Sequence, residues 1–136
     1  EKKINPHHFC MPVVKNESDL LALRNAACLE NTKFFLGTDS APHHINEKNQ
    51  INPIKAGIFS APYSLELYAK IFEEENALKN LEKFSSINGP KFYGLNINNN
   101  YLELLKSNTT IPEYTEEGNI KIKNFFANKK INWKVS

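Results

Sequence analysis

Apolar residues along this chain fall into short unbroken runs and periodic stripes, separated by polar stretches. Phe9–Val14 shows no polar alternation, the pattern of a strand buried on both faces as in a parallel sheet. Pro12 has no ladder donor, so the regular strand is expected before it and the departure from the sheet at it. Asn16 follows as a helix N-cap, with Asp19 in a capping-box-like position. Leu20, Leu23 and Ala27, flanked by Leu21 and Cys28, supply an apolar face through about Leu29. A second apolar run, Phe34-Phe35-Leu36, leads into Gly37-Thr38-Asp39-Ser40-Ala41-Pro42-His43-His44. Strand, helix, strand at this spacing predicts a βα-β unit of an α/β fold.

The stretch His44–Phe59 is polar and without period, and loops of that length are often binding loops or lids. Pro62 marks a helix start, with Leu65, Tyr68, Ile71 and Phe72 as its buried stripe and Glu73-Glu74-Glu75 facing water. Leu81–Ile87 reads as a short helix that Asn88-Gly89-Pro90 breaks, and Asn98-Asn99-Asn100 as a turn. In the tail, Ile120 and Ile122 alternate with lysines, and Ile131, Trp133 and Val135 alternate again, predicting short half-exposed strands. These patterns divide the chain into residues 1–105 and an extension over 106–136.

Two strands buried on both faces cannot make a covered sheet by themselves. A (β/α)₈ barrel needs roughly 250 residues, and this chain has 136. The expectation is the end of a larger α/β protein: the last two strands of such a TIM-type barrel with their helices, plus the extension.

Composition narrows the function classes. A net charge of +2, with no basic run longer than a pair such as Lys129–Lys130, leaves no electrostatic footprint for nucleic acid. The lysines between Lys121 and Lys134 read as a solvated face, and the sole arginine, Arg24, as nucleotide bias. No apolar run reaches the roughly 18 residues that a membrane span requires, and Glu1–Pro6 lacks the features of a signal peptide. Two cysteines, Cys10 and Cys28, suit a reducing cytoplasm rather than a disulfide scaffold.

The chemistry candidates cluster beside the two apolar runs. His7-His8 and His43-His44 are adjacent pairs, and neighbouring strand residues point to opposite faces. A zinc cluster from His7, His8 and Cys10 is therefore weak, and one histidine of each pair is expected to pack or hydrogen-bond. Asp39 emerges where a buried strand ends, the place where α/β folds bind ligands. Its carboxylate can ligate a cation and take a proton. It can equally cap the next segment, and the spacing leaves both roles open.

The run Phe35-Leu36-Gly37-Thr38-Asp39-Ser40-Ala41-Pro42-His43 resembles the last barrel strand of dihydroorotases of the short bacterial type, in the amidohydrolase superfamily. Pro6-His7 with Cys10-Met11-Pro12 resembles the strand before it. Ala56-Gly57, Ser60-Ala61-Pro62, Phe72-Glu73-Glu74, Asn88–Leu95 and Ile131–Val135 fit the region downstream. The resemblance implies the reversible cyclisation of N-carbamoyl-L-aspartate to (S)-dihydroorotate and water, in pyrimidine synthesis. It implies two zinc ions per complete site, which polarise the scissile carbonyl and activate a bridging water. It gives Asp39 the roles of metal ligand and proton shuttle, and His43 that of holding the substrate carboxylate. Ala56 and Met11 would touch the substrate through main-chain atoms. It also implies a cytoplasmic homodimer, a small-molecule substrate, and no nucleic-acid or membrane partner. The family's His-x-His pair, carboxylated lysine and further histidines have no counterpart here. They are expected upstream of Glu1, in the missing part of the barrel, and this segment alone is expected to be inactive.

Two other readings compete: a non-catalytic dihydroorotase-like binding or assembly module lacking a complete metal site, and a small independent α/β domain binding an anion. The last leaves the buried strands without neighbours.

Overall fold

The computed structural model describes residues 5–13, 16–50 and 52–136. They form two compact units that interleave along the chain. One takes the described residues of Glu1–Val13, Thr38–Ser64 and Thr110–Lys130, the other those of Val14–Gly37, Leu65–Thr109 and Ile131–Ser136.

In the second unit, helix α1 (Glu17–Cys28) starts at Asn16, whose side chain accepts the Asp19 N–H at 3.0 Å. The expected apolar face is only partly packed. Cys28 is buried and Ala27 packs on the core, whereas Leu20, Leu21 and Leu23 are 47%, 56% and 58% exposed. Among the described residues nothing covers those leucines, so an amphipathic pattern is present without the surface it would match.

The core of this unit is Cys28, Ala69, Phe72, Ala77, Leu81, Phe84 and Trp133, with Tyr68 and Ile71 packed against it. Phe84 sits between Tyr68 and Phe72, with ring centroids 5.4 and 5.3 Å away. Phe72 belongs to helix α3 (Ser64–Glu74), entered through a 3₁₀ turn at Ala61–Tyr63 that holds Pro62. The expected stripe holds at Phe72, Tyr68 and Ile71. Glu73, expected to face water, instead accepts from Trp133 Nε1 at 3.1 Å and Asn132 Nδ2 at 3.0 Å, and pairs with Lys106. Its position beside a buried indole N–H that needs an acceptor explains the difference.

Asn88-Gly89-Pro90 does not break the helix. A π-helical turn over Lys83–Ile87 runs directly into α4 (Asn88–Tyr93), which ends at Gly94 with φ 66°. Pro90 lies in the first turn of α4, where its missing N–H is harmless. Asn98–Asn100, expected as a turn, is irregular and exposed.

The two apolar runs do not form strands within the described residues; Val14 lies outside them. Met11 and Val13 are 62% and 54% exposed, and Phe34 is 41% exposed. A strand exists only through ladder partners, and the described residues supply too few: Phe9 O accepts from Gly57 N–H, and Leu36 N–H donates to Phe84 O.

The strands that do form are in the tail. β1 (Leu104–Thr110) pairs with β4 (Lys130–Val135), and β2 (Tyr114–Glu117) forms an antiparallel hairpin with β3 (Ile120–Lys123). β3 and β4 form where alternation was expected; β4 buries Ile131 and Trp133, whereas Ile120 of β3 is 55% exposed and Ile122 only half-buried. β1 and β2 lack that alternation, and most of their residues are exposed. Glu117 faces Ile120 across a two-residue turn in which Gly118 takes φ 57°, as such hairpins require.

Candidate functional site

The segment after Gly37 is stitched into the first unit by backbone bonds. Ser40 Oγ accepts the N–H groups of Ser60 and Ala61, each at 3.1 Å, which caps the turn leading into α3. The Ala41 N–H donates to Ile58 O, and the Gly57 N–H to Phe9 O, both at 2.9 Å. Thus the segments around Phe9, Ser40 and Gly57 hold one another.

Gly57 lets them approach. Its φ is 121°, and a Cβ there would lie 2.5 Å from Ala41 Cβ and 3.3 Å from His43 Nε2. Against it, His43 Nε2 donates to Ala56 O at 3.0 Å, which leaves Nδ1 as the other ring nitrogen, 3.9 Å from Glu47 Oε2. Glu47 pairs with Lys55 at 3.0 Å, and that bond holds its carboxyl below the usual range.

Asp39 precedes this stitched segment. It is exposed, takes φ 43°, and among the described residues its carboxylate has no hydrogen-bond or ion-pair partner. A free carboxylate in a left-handed backbone, which Asp tolerates better than most residues, is available to an outside ligand. The capping role left open by the sequence belongs to Ser40 instead.

The other histidines are engaged as protein residues. His7 Nε2 bonds Asn49 Oδ1 at 2.9 Å, and His8 stacks edge-on against Phe125 at 5.6 Å. Burial pushes the His7 imidazole down from its ordinary value. His44 Nδ1 accepts the Asn46 N–H and caps helix α2 (Ile45–Lys48), which interrupts the loop expected to be structureless. Among the described residues no group of three or more His, Cys, Asp or Glu side chains could hold a metal ion. Asp39 is thus a single donor, fit to be one ligand of a centre built with other residues.

Of the four site residues expected from sequence, His43 and Ala56 touch directly. Met11 is on the segment whose Phe9 carbonyl receives Gly57, and Asp39 is on the strip that carries Ala41. A cavity lined by His7, Ala41, His43, Lys48 and Gly57 among others is about 10 Å³ and takes in one of the four, His43. That is room for about one water. A larger cavity of about 290 Å³, lined by Leu29, Glu30, Lys83, Phe84 and Lys91 among others, lies in the second unit and holds none of the four.

No family model matches the chain. Individual proteins do. It is 46% identical over 132 residues to the dihydroorotase of Erythrobacter litoralis and, over the same length, to that of Yersinia enterocolitica. Each match covers 97% of this chain and 38% of the relative. The dihydroorotase of Saccharomyces cerevisiae in complex with 5-fluoroorotic acid superposes with a TM-score of 0.89 at 36% identity. That match covers 97% of this chain and 38% of the other. The dihydroorotase of Campylobacter jejuni gives 0.86 at 31% identity, over 99% and 39%. The chain is similar to the carboxy-terminal portion of dihydroorotases.

The resemblance read from the Gly-Thr-Asp-Ser-Ala-Pro-His run therefore stands, and the chain is a mixed α/β piece spanning about 38% of its dihydroorotase relatives. Sequence reasoning did not single out two residues that tie these segments together. Ser40 was in the motif, and a Ser ahead of the Ser60-Ala61-Pro62 helix start was the available signal. Lys48, only 4% exposed, donates to Phe9 O at 3.3 Å and to Lys55 O at 2.5 Å. Nothing in Asn46-Glu47-Lys48-Asn49-Gln50 marks one lysine as buried.

Proposed function

We propose that this chain is the carboxy-terminal portion of a dihydroorotase, which interconverts N-carbamoyl-L-aspartate and (S)-dihydroorotate, with loss or gain of water, in pyrimidine synthesis. The observation that carries the reading is the coincidence of 44–46% identity and a TM-score of 0.89 over 97% of the chain, both with dihydroorotases. A non-catalytic module is not favoured, because the relatives at that identity are named as the enzyme.

In this reading the apolar runs at Phe9 and Phe34 become the last two strands of a (β/α)₈ barrel once upstream strands pair with them. That supplies the ladder partners they lack here and a surface for the leucines of α1. Upstream residues and Asp39 together would hold two zinc ions, which supply a polarised carbonyl and an acidified water when bound. Asp39 takes the proton of the attacking water and returns it to the ring nitrogen. His43, its ring plane set by the Ala56 carbonyl, meets the substrate carboxylate through Nδ1–H of its charged form. Main-chain atoms of Met11 and Ala56 orient the ring. The enzyme acts as a homodimer in the cytoplasm, as the resemblance to dihydroorotases implies. No helix among the described residues is long and apolar enough to cross a membrane.

The test is turnover of dihydroorotate by the complete protein, loaded with zinc. Hydrolysis that a chelator abolishes supports the reading, and a fully metallated, folded protein without turnover would reject it.

A further inference from the structure

Lys48 is almost fully buried, yet among the described residues no carboxylate pairs with it; the adjacent Glu47 is held by Lys55. Its ammonium instead holds two backbone carbonyls, those of Phe9 and Lys55. A buried ammonium bonded only to neutral groups is a costly arrangement, and an apolar side chain of similar length would be the cheaper filler. What the charge does is set by where those carbonyls lie. The Phe9 carbonyl also receives the Gly57 N–H, and the Lys55 carbonyl belongs to the peptide unit that carries the Ala56 N–H.

Both peptide units are trans, so the N–H groups of Cys10 and Ala56 point away from the carbonyls that Lys48 holds. Among the described residues neither N–H has a hydrogen-bond partner. An amide whose carbonyl accepts from an ammonium is polarised, and its N–H becomes a stronger donor.

We infer that Lys48 is a positioning residue for a bound ligand, the substrate: by clamping the Phe9 and Lys55 carbonyls it fixes the segment that leads to Met11 and the segment of Ala56, whose carbonyl orients His43. The inference rests on the dihydroorotase reading for the identity of that ligand, while the backbone clamp stands apart from it.

The experiment uses the complete enzyme with Lys48→Met and Lys48→Gln, the second keeping a neutral donor should the first fold poorly. Three quantities are measured: kcat and KM for dihydroorotate, binding of 5-fluoroorotate, and hydrogen exchange at the Gly57 amide. Removing a charged donor should raise KM and weaken 5-fluoroorotate binding roughly tenfold or more, and speed Gly57 exchange by a similar factor. The kcat should change less than KM, and Tm should hold, as expected when a buried charge gives way to a neutral group. Unchanged KM, 5-fluoroorotate affinity and Gly57 exchange would overturn the inference. So would a KM change that merely tracks a fall in Tm. If the unmodified enzyme does not turn over dihydroorotate, the dihydroorotase reading fails, and Gly57 exchange with 5-fluoroorotate binding still decides the role of Lys48.

Discussion

His43 Nε2 donates to the carbonyl of Ala56 across 3.0 Å, so one residue expected to hold a substrate carboxylate is oriented by another expected to touch the substrate through its backbone. The bond requires a hydrogen on Nε2, which leaves Nδ1 as the ring atom to meet the substrate. In a complete enzyme, His43→Ala should raise KM roughly tenfold to a hundredfold, the value of about 1.5–3 kcal/mol for a hydrogen bond to a charged group. Zinc content, measured by elemental analysis, should not change. A loss of metal would make His43 a ligand.

Asp39→Asn separates chemistry from backbone. Asn tolerates the left-handed region as well as Asp does, so the residue at φ 43° should remain in place and Tm should shift little. Loss of the proton acceptor should cost about 10²–10⁴ in kcat, with the acid limb of the pH–rate profile lost or displaced. Retention of more than about a tenth of kcat, outside that general-base range, would exclude Asp39 as the proton shuttle.

Gly57→Ala should destabilise the first unit. The new Cβ would meet Ala41 Cβ at 2.5 Å, and φ 121° is strained for any residue with a side chain. A cost of about 1–3 kcal/mol is expected, read as a fall in Tm or in the denaturant midpoint of the complete protein. Because the same Cβ also presses on His43 Nε2, KM should rise with it. A variant with the parent's stability would mean that the Ala41–Gly57 approach relaxes freely.

Glu73 should give the stability of the second unit an acid-side dependence. The Lys106 bond, followed by those from Asn132 and Trp133, holds its carboxyl below the ordinary value. With a depressed folded-state pKa, its contribution is present above the unfolded value of about 4.3. That contribution is lost as pH falls through the folded-state value. The Tm difference between parent and Glu73→Gln should therefore be largest near neutrality and shrink toward pH 3. A gap that stays constant with pH would show that Glu73 acts only through neutral hydrogen bonding.

Residues 1–136 expressed alone should not turn over dihydroorotate, with or without added zinc, because among the described residues Asp39 has no companion ligands. Clear activity would show that the site is complete within this chain.

Helix α1 with its Asn16 cap, the Phe72 stripe of α3, and strands β3 and β4 were legible in the sequence, because each depends on local periodicity or a local cap. So was the Gly37–His43 motif, whose identity is a matter of residue order. The apolar runs at Phe9 and Phe34 were expected to be buried strands, yet Met11, Val13 and Phe34 are exposed and no strand forms there, since a strand is a relation between segments and too few ladder partners lie among the described residues. Pro90 was misread because a π-turn upstream places it where no N–H is needed. Tertiary structure alone decided that Glu73 serves Trp133, that Ser40 rather than Asp39 caps the turn into α3, and that Lys48 lies beneath Phe9 and Lys55. Each joins residues between 7 and 60 positions apart, and a polar side chain carries no mark in the sequence of which carbonyl or N–H will need it once water is excluded.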